Sequence, residues 1–158
     1  MERRHSSGSR NPGVGEVWRK IWRVRGLKVV QVFLWNACHD ILPTRVNLHR
    51  RKMIDDPLCP LCLQEEETTG HILWSCPSAQ DVWMECSRKL QKFPSNADDF
   101  LNILASFMGK LDEEEVQLYA VVARLLWLRR NIVIHGGGDG APKKGYLTLT
   151  CEGPSSKF

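Results

Sequence analysis

Three cysteines and one histidine carry the clearest chemistry in this 158-residue chain. They are Cys59-Pro60-Leu61-Cys62, then His71 after eight residues, then Cys76 after four more. Thiolates and imidazole are ligands that zinc favours, and three Cys with one His make a closed tetrahedral set. The two-residue gap between Cys59 and Cys62 lets both thiolates of one tight turn reach a single ion. A closed set leaves no position for a catalytic water, so one Zn2+ with a structural role is expected on Cys59, Cys62, His71 and Cys76. Such a site contributes on the order of 10–16 kcal/mol to folding. The competing reading is a core that happens to hold three thiols and an imidazole. His39 and His49 stand as reserve ligands. Cys38 and Cys86 fall on apolar runs and are expected as core thiols. Cys151, near the C-terminus, is expected as an exposed free thiol.

The elements around this set must place it. Thr68 or Thr69 is suited to cap a short helix running through Trp74. His71 and Cys76 are five residues apart, about 140° around an ideal helix, so they share no face while the helix continues. Pro77 supplies the stop, because the residue before a proline is driven out of the α region. Upstream, Val17 to Val24 reads as a helix, with Trp18 and Trp22 one turn apart. Residues 28–39 are β-branched enough for a strand, yet Val29, Phe33 and Ala37 form one helical stripe and Val30 and Leu34 another. Thr44 is the expected cap of a helix carrying Val46, Arg50 and Met53. Downstream, Ala79, Val82, Trp83, Cys86 and Leu90 make an amphipathic helix. Another starts near Asn96 or Asp98 and carries Phe100, Leu104 and Phe107. Asp112 should cap a long helix reaching about Ile134. Its first turn holds Glu113, Glu114 and Glu115, where the helix dipole favours anions. It is apolar nearly all round, so it is expected to be the buried central helix. Alternating patterns are scarce. The expected class is all-α: a small irregular helical domain with a Cys3His zinc-stabilised loop-helix and disordered tails.

Composition sets the limits. Apolar residues make up 42% and charged residues 25% of the chain, which is globular rather than disordered. The expected organisation is a flexible basic arm over 1–15, one folded domain over 16–135, and a Gly/Pro-rich disordered tail over 136–158. No run is long and apolar enough for a transmembrane helix, and Met1 to Gly15 lacks a signal-peptide core. A nuclear or cytoplasmic location without membrane contact is therefore expected. The net charge of +4 hides an uneven distribution. Residues 1–52 carry twelve Lys and Arg against three acids, and residues 53–119 carry thirteen acids against four bases. Either the basic third faces phosphates, or the two regions are complementary faces or solvated surfaces.

Taken together, Val17-Trp18-x-x-Ile21-Trp22, Phe33-x-Trp35, Ile41-Leu42-Pro43-Thr44, Cys59-Pro60-Leu61-Cys62, Glu67-Thr68-x-x-His71, Cys76-Pro77 and Val82-Trp83 resemble one known family. It is the zinc-binding domain of reverse transcriptase proteins from plant LINE-type (non-LTR) retrotransposons. Trp127-x-x-Arg130-Asn131 is similar to the helix that commonly follows it. The resemblance implies that Cys59, Cys62, His71 and Cys76 are the ligands. In that family the domain follows a polymerase and often precedes a ribonuclease H domain. Neither is expected here: Asp55-Asp56 and Asp98-Asp99 lack a Tyr-x-Asp-Asp context, so the chain reads as an excised or decayed retroelement fragment.

The expected function is a non-catalytic zinc module supporting RNA or other single-stranded nucleic-acid binding. Arg19, Lys20, Arg23, Arg25, Arg50, Arg51 and Lys52 would meet phosphates, and Trp22 or Trp74 would offer a stacking surface. The alternatives are a protein-interaction scaffold, for example toward a reverse transcriptase domain, and a remnant with no selected activity.

Overall fold

Burial of one aromatic cluster organises the chain. In the computed structural model, which describes residues 12–26, 28–86, 88–89 and 99–136, Trp74, Trp83, Phe107 and Tyr119 pack with ring centroids 4.7–5.7 Å apart. The indole N–H of Trp83 donates to the Leu73 carbonyl at 2.9 Å, so this buried ring keeps its one polar atom satisfied.

The described residues form six α-helices: α1 (Pro12–Arg23), α2 (Lys28–Cys38), α3 (Arg45–Arg50), α4 (Pro77–Cys86), α5 (Phe100–Met108) and α6 (Glu113–His135). A π-helical turn, His71–Ser75, precedes α4. Among the described residues there is no strand, only an isolated antiparallel bridge between Leu58 and Glu66. The all-α expectation holds. Helix α1 packs on α2 and α5, α2 on α5 and α6, and the π turn on α4 and α6.

The sequence signals explain most boundaries. Proline fits the first turn of α1, because its missing N–H has no helical partner there. Helix α1 therefore starts inside the stretch expected to be an arm; residues 1–11 and the tail from 137 onward, with Cys151, lie outside the described residues. Val17 and Ile21 form its buried face, which Val24 continues just past its end, and Trp22 points outward. Gly26 turns the chain into α2 at φ 153°, a backbone region that side chains disfavour. The Thr44 hydroxyl caps α3 by accepting from the Asn47 N–H. Asp99, one residue past the expected Asp98, caps α5. Asp112 and Glu115 form a reciprocal capping box on α6.

Two expectations need correction. Helix α6 is buried on one side only: Leu118, Val121, Leu128 and Ile132 are exposed. Cys38 and Cys86 both pack half-buried against the core, but only Cys38 is a free thiol; Cys86 is disulfide-bonded.

Candidate metal centre

A short hairpin positions the first two candidate ligands. The Glu67 N–H donates to the Pro57 carbonyl and the Cys59 N–H to the Glu65 carbonyl. Between these bonds the chain turns sharply, with Leu63 at φ 56° and its N–H returned to the Cys59 carbonyl. This turn brings Cys59 and Cys62 round to one side.

The other two candidate ligands flank the π turn, His71 at its start and Cys76 just past its end. The Thr68 hydroxyl accepts from the His71 N–H and caps the segment, as one of the two expected threonines. The Cys76 N–H then donates to the His71 carbonyl at 2.8 Å, an i→i+5 bond. That wider turn stacks residue 76 over residue 71 and removes the angular mismatch of an α-helix. Cys76 itself is extended, with ψ 132°, as the following Pro77 requires. Its carbonyl accepts from the Ala79 and Gln80 N–H groups, which leaves the sulfur beside the first backbone N–H groups of α4, and these lower its pKa. Donors at a helix N-terminus favour a thiolate.

The four donor atoms lie within 4.8 Å of one another. A tetrahedron built on ligand distances of about 2.0–2.3 Å has edges of roughly 3.5–3.8 Å, so a contraction of at most about 1.3 Å closes it. Cys62 Sγ and His71 Nε2, 3.4 Å apart, are already at that spacing. Cys59, His71 and Cys76 are buried and Cys62 is half-buried. The second ring nitrogen of His71 lies 3.2 Å from a Glu65 carboxylate oxygen, close enough for an ion pair but misaligned for a hydrogen bond. Carboxylates in this position orient metal-binding histidines. The residues present therefore fit a tetrahedral metal.

Protons hold the cluster together when metal is absent. A hydrogen bond to Cys76 and burial push the Cys59 thiol up to about 12. The same bond holds Cys76 below the usual thiol range, with the α4 N–H groups helping. Burial alone would lower His71, but its contacts with Cys59 and Cys62 outweigh that and push it up to about 9.

Consecutive arginines of α6 fasten the metal segment at both ends. Arg130 makes a two-pronged contact with Glu67, at 2.7 Å from Nε and 2.6 Å from Nη2. Arg129 donates to the Ser78 carbonyl and hydroxyl, two residues beyond Cys76. Glu67 also accepts from the Arg45 N–H at the start of α3, and Arg130 reaches the Pro43 carbonyl. Both partners of the Glu67–Arg130 pair are buried, at 0% and 3% exposed. Spacing alone gave no sign of this pair; its members stood out only within the family-like motifs.

Metal ligation of this type matches a known family. A family model described as zinc-binding in reverse transcriptase matches residues 5–83, half of the chain. The chain belongs to that family. An Arabidopsis thaliana protein named "Putative ribonuclease H protein" is 27% identical over 88 residues, which is 54% of this chain. Those residues span only 14% of the relative's length. No solved structure matches. The family is that of a zinc-binding domain rather than of the catalytic part of a reverse transcriptase.

The basic residues divide into two groups. Lys20, Arg23 and Arg25 of the α1 end line a cavity of about 390 Å³, but so do Asp112, Glu113 and Glu114 of the α6 start. Lys20 is further engaged by Glu16 and by the Met108 carbonyl. Arg50 faces Asp40 at 3.3 Å and lines a different cavity with Thr68, Thr69 and Asp99. Arg19, Arg51 and Lys52 are exposed. Of the two candidate stacking rings, Trp22 is 54% exposed, whereas Trp74 is 1% exposed and cannot meet a base. No described helix is long and apolar enough to cross a membrane.

Proposed function

We propose that this chain is a non-catalytic module of a reverse transcriptase-type protein, held by one structural Zn2+ and contacting single-stranded RNA. The observation that carries the metal assignment is the convergence of Cys59, Cys62, His71 and Cys76. Their donor set, three sulfurs and one nitrogen, is the one zinc takes in closed sites. Cys59 and Cys62 would hold the ion from the hairpin, His71 and Cys76 from the π turn. The bound metal supplies cross-linking, not chemistry: it ties the hairpin to the segment that carries Trp74 into the core.

RNA contact is supported by the outer face of α1, where Arg19 and Arg23 flank the exposed Trp22. Arg51 and Lys52 add two unburied charges. A cationic edge beside an open indole suits unpaired bases and their phosphates. A second reading, a scaffold for another protein segment, is favoured by the acids that share the cavity of Lys20, Arg23 and Arg25.

Metal analysis of the purified protein tests the first half. One zinc per chain is expected, and Cys62→Ser should lose it together with helical content. Full folding without metal would refute the structural role. For the second half, binding of the full chain to single-stranded RNA is measured across a salt series. Each phosphate contact adds about −0.7 to the slope of log K against log salt. A flat slope removes phosphate contact and leaves the scaffold reading.

A further inference from the structure

Helix α6 has two apolar faces, and the fold covers only one. Tyr119, Ala120, Ala123, Leu126 and Trp127 point into the core. On the far side, every exposed residue between Glu114 and His135 is aliphatic: Leu118, Val121, Leu128 and Ile132, at 39–57% exposed. The polar residues of this stretch are turned aside. Arg124 lies over the Phe33 ring, Arg129 reaches Ser78 and Arg130 reaches Glu67. A surface helix of a soluble domain normally presents polar residues here.

The spacing of the open face is specific. With half-buried Leu125 filling the gap, the steps are three, four, three and four residues. That is the a/d alternation of two heptads, the pattern by which one helix packs along another.

We propose that this face pairs with the same face of a second copy of the chain, the two α6 helices running antiparallel. The heptad spacing calls for a helix as the occupant. The absence of exposed cations along it argues against a phosphate-bearing one. Charge favours the antiparallel sense: it sets the acidic first turn, Glu113 to Glu115, beside His135 and the C-terminal dipole of the other copy. A parallel pair would stack the two acidic turns on each other. A two-fold arrangement also makes one patch complementary to itself and closes at the dimer. A 23-residue helix is about 34 Å long and about 10 Å wide, so its face offers roughly 340 Å². That is below the about 800 Å² per partner of a standard interface. The dimer is therefore reversible and depends on concentration.

Sedimentation velocity of the zinc-loaded full chain, from micromolar to several hundred micromolar, tests this. The mass should move from monomer toward dimer as concentration rises. Leu128→Glu and, separately, Val121→Glu should stay monomeric at every concentration, with zinc content and far-ultraviolet circular dichroism unchanged. The unsubstituted chain decides by itself: a monomer throughout, or an open-ended larger assembly, overturns the proposal. A dimer that survives both substitutions at unaltered helicity overturns it as well. Metal content is read in the same samples, so failure of the dimer is distinguishable from failure of the zinc site.

Discussion

His71 and Cys59 hold protons that a metal must displace. With Cys59 pushed up to about 12 and His71 up to about 9, both are protonated near neutral pH in the metal-free protein. Zinc takes thiolate and neutral imidazole, so binding releases at least these two protons. The free state binds more protons than the loaded one, and affinity must therefore rise with pH. Two released protons correspond to about a 100-fold gain per pH unit between roughly pH 6 and 8. Competition against a chelator of known affinity at several pH values measures this. A pH-independent affinity would contradict the protonation states assigned to the pair.

At the scale of elements, the π turn links metal site and core. His71 and Cys76 sit at its two ends, while Ile72, Leu73 and Trp74 between them are buried. The wider turn lets the ligands share one side while the intervening side chains face inward. Helix α4 reads this arrangement through Trp83, whose indole bonds to Leu73 and stacks on Tyr119 at 4.7 Å. Trp83→Ala should destabilise the fold by about 3–5 kcal/mol, since it opens a cavity beside Trp74. It also leaves the Leu73 carbonyl without its donor. Urea denaturation of the zinc-loaded protein checks this, and a loss under about 1 kcal/mol would show that α4 contributes little to the core.

Across the whole molecule, Glu67 and Arg130 join parts 63 residues apart in sequence. The pair ties α6 to the metal segment, and Glu67 extends the tie to α3. Removing one partner leaves a buried charge without compensation, which costs about 3–5 kcal/mol. Glu67→Gln should show that loss in thermal or urea unfolding. The double variant Glu67→Leu with Arg130→Met should recover most of it, because packed apolar groups often replace a buried pair without loss. If the double variant is as unstable as the single one, the role of the pair extends beyond charge compensation.

The four candidate ligands, the caps at Thr44 and Asp112, and the helical class were legible in the sequence, because each rests on local spacing or local hydrogen bonding. Pro77 announced the extended Cys76 for the same reason. The π turn was not legible: it requires one additional residue in a turn, and no residue type specifies that. Neither was the Glu67–Arg130 pair, since a charged residue carries no local mark of being buried with a distant partner. The tryptophans show the same division. The sequence determined that large rings needed cover, but only tertiary packing decided that Trp74 and Trp83 are enclosed and Trp22 is not. For α6, periodicity recorded that it is apolar all round. Which face the domain covers, and that a heptad face stays open, depends on how many neighbours the fold can set against a single helix.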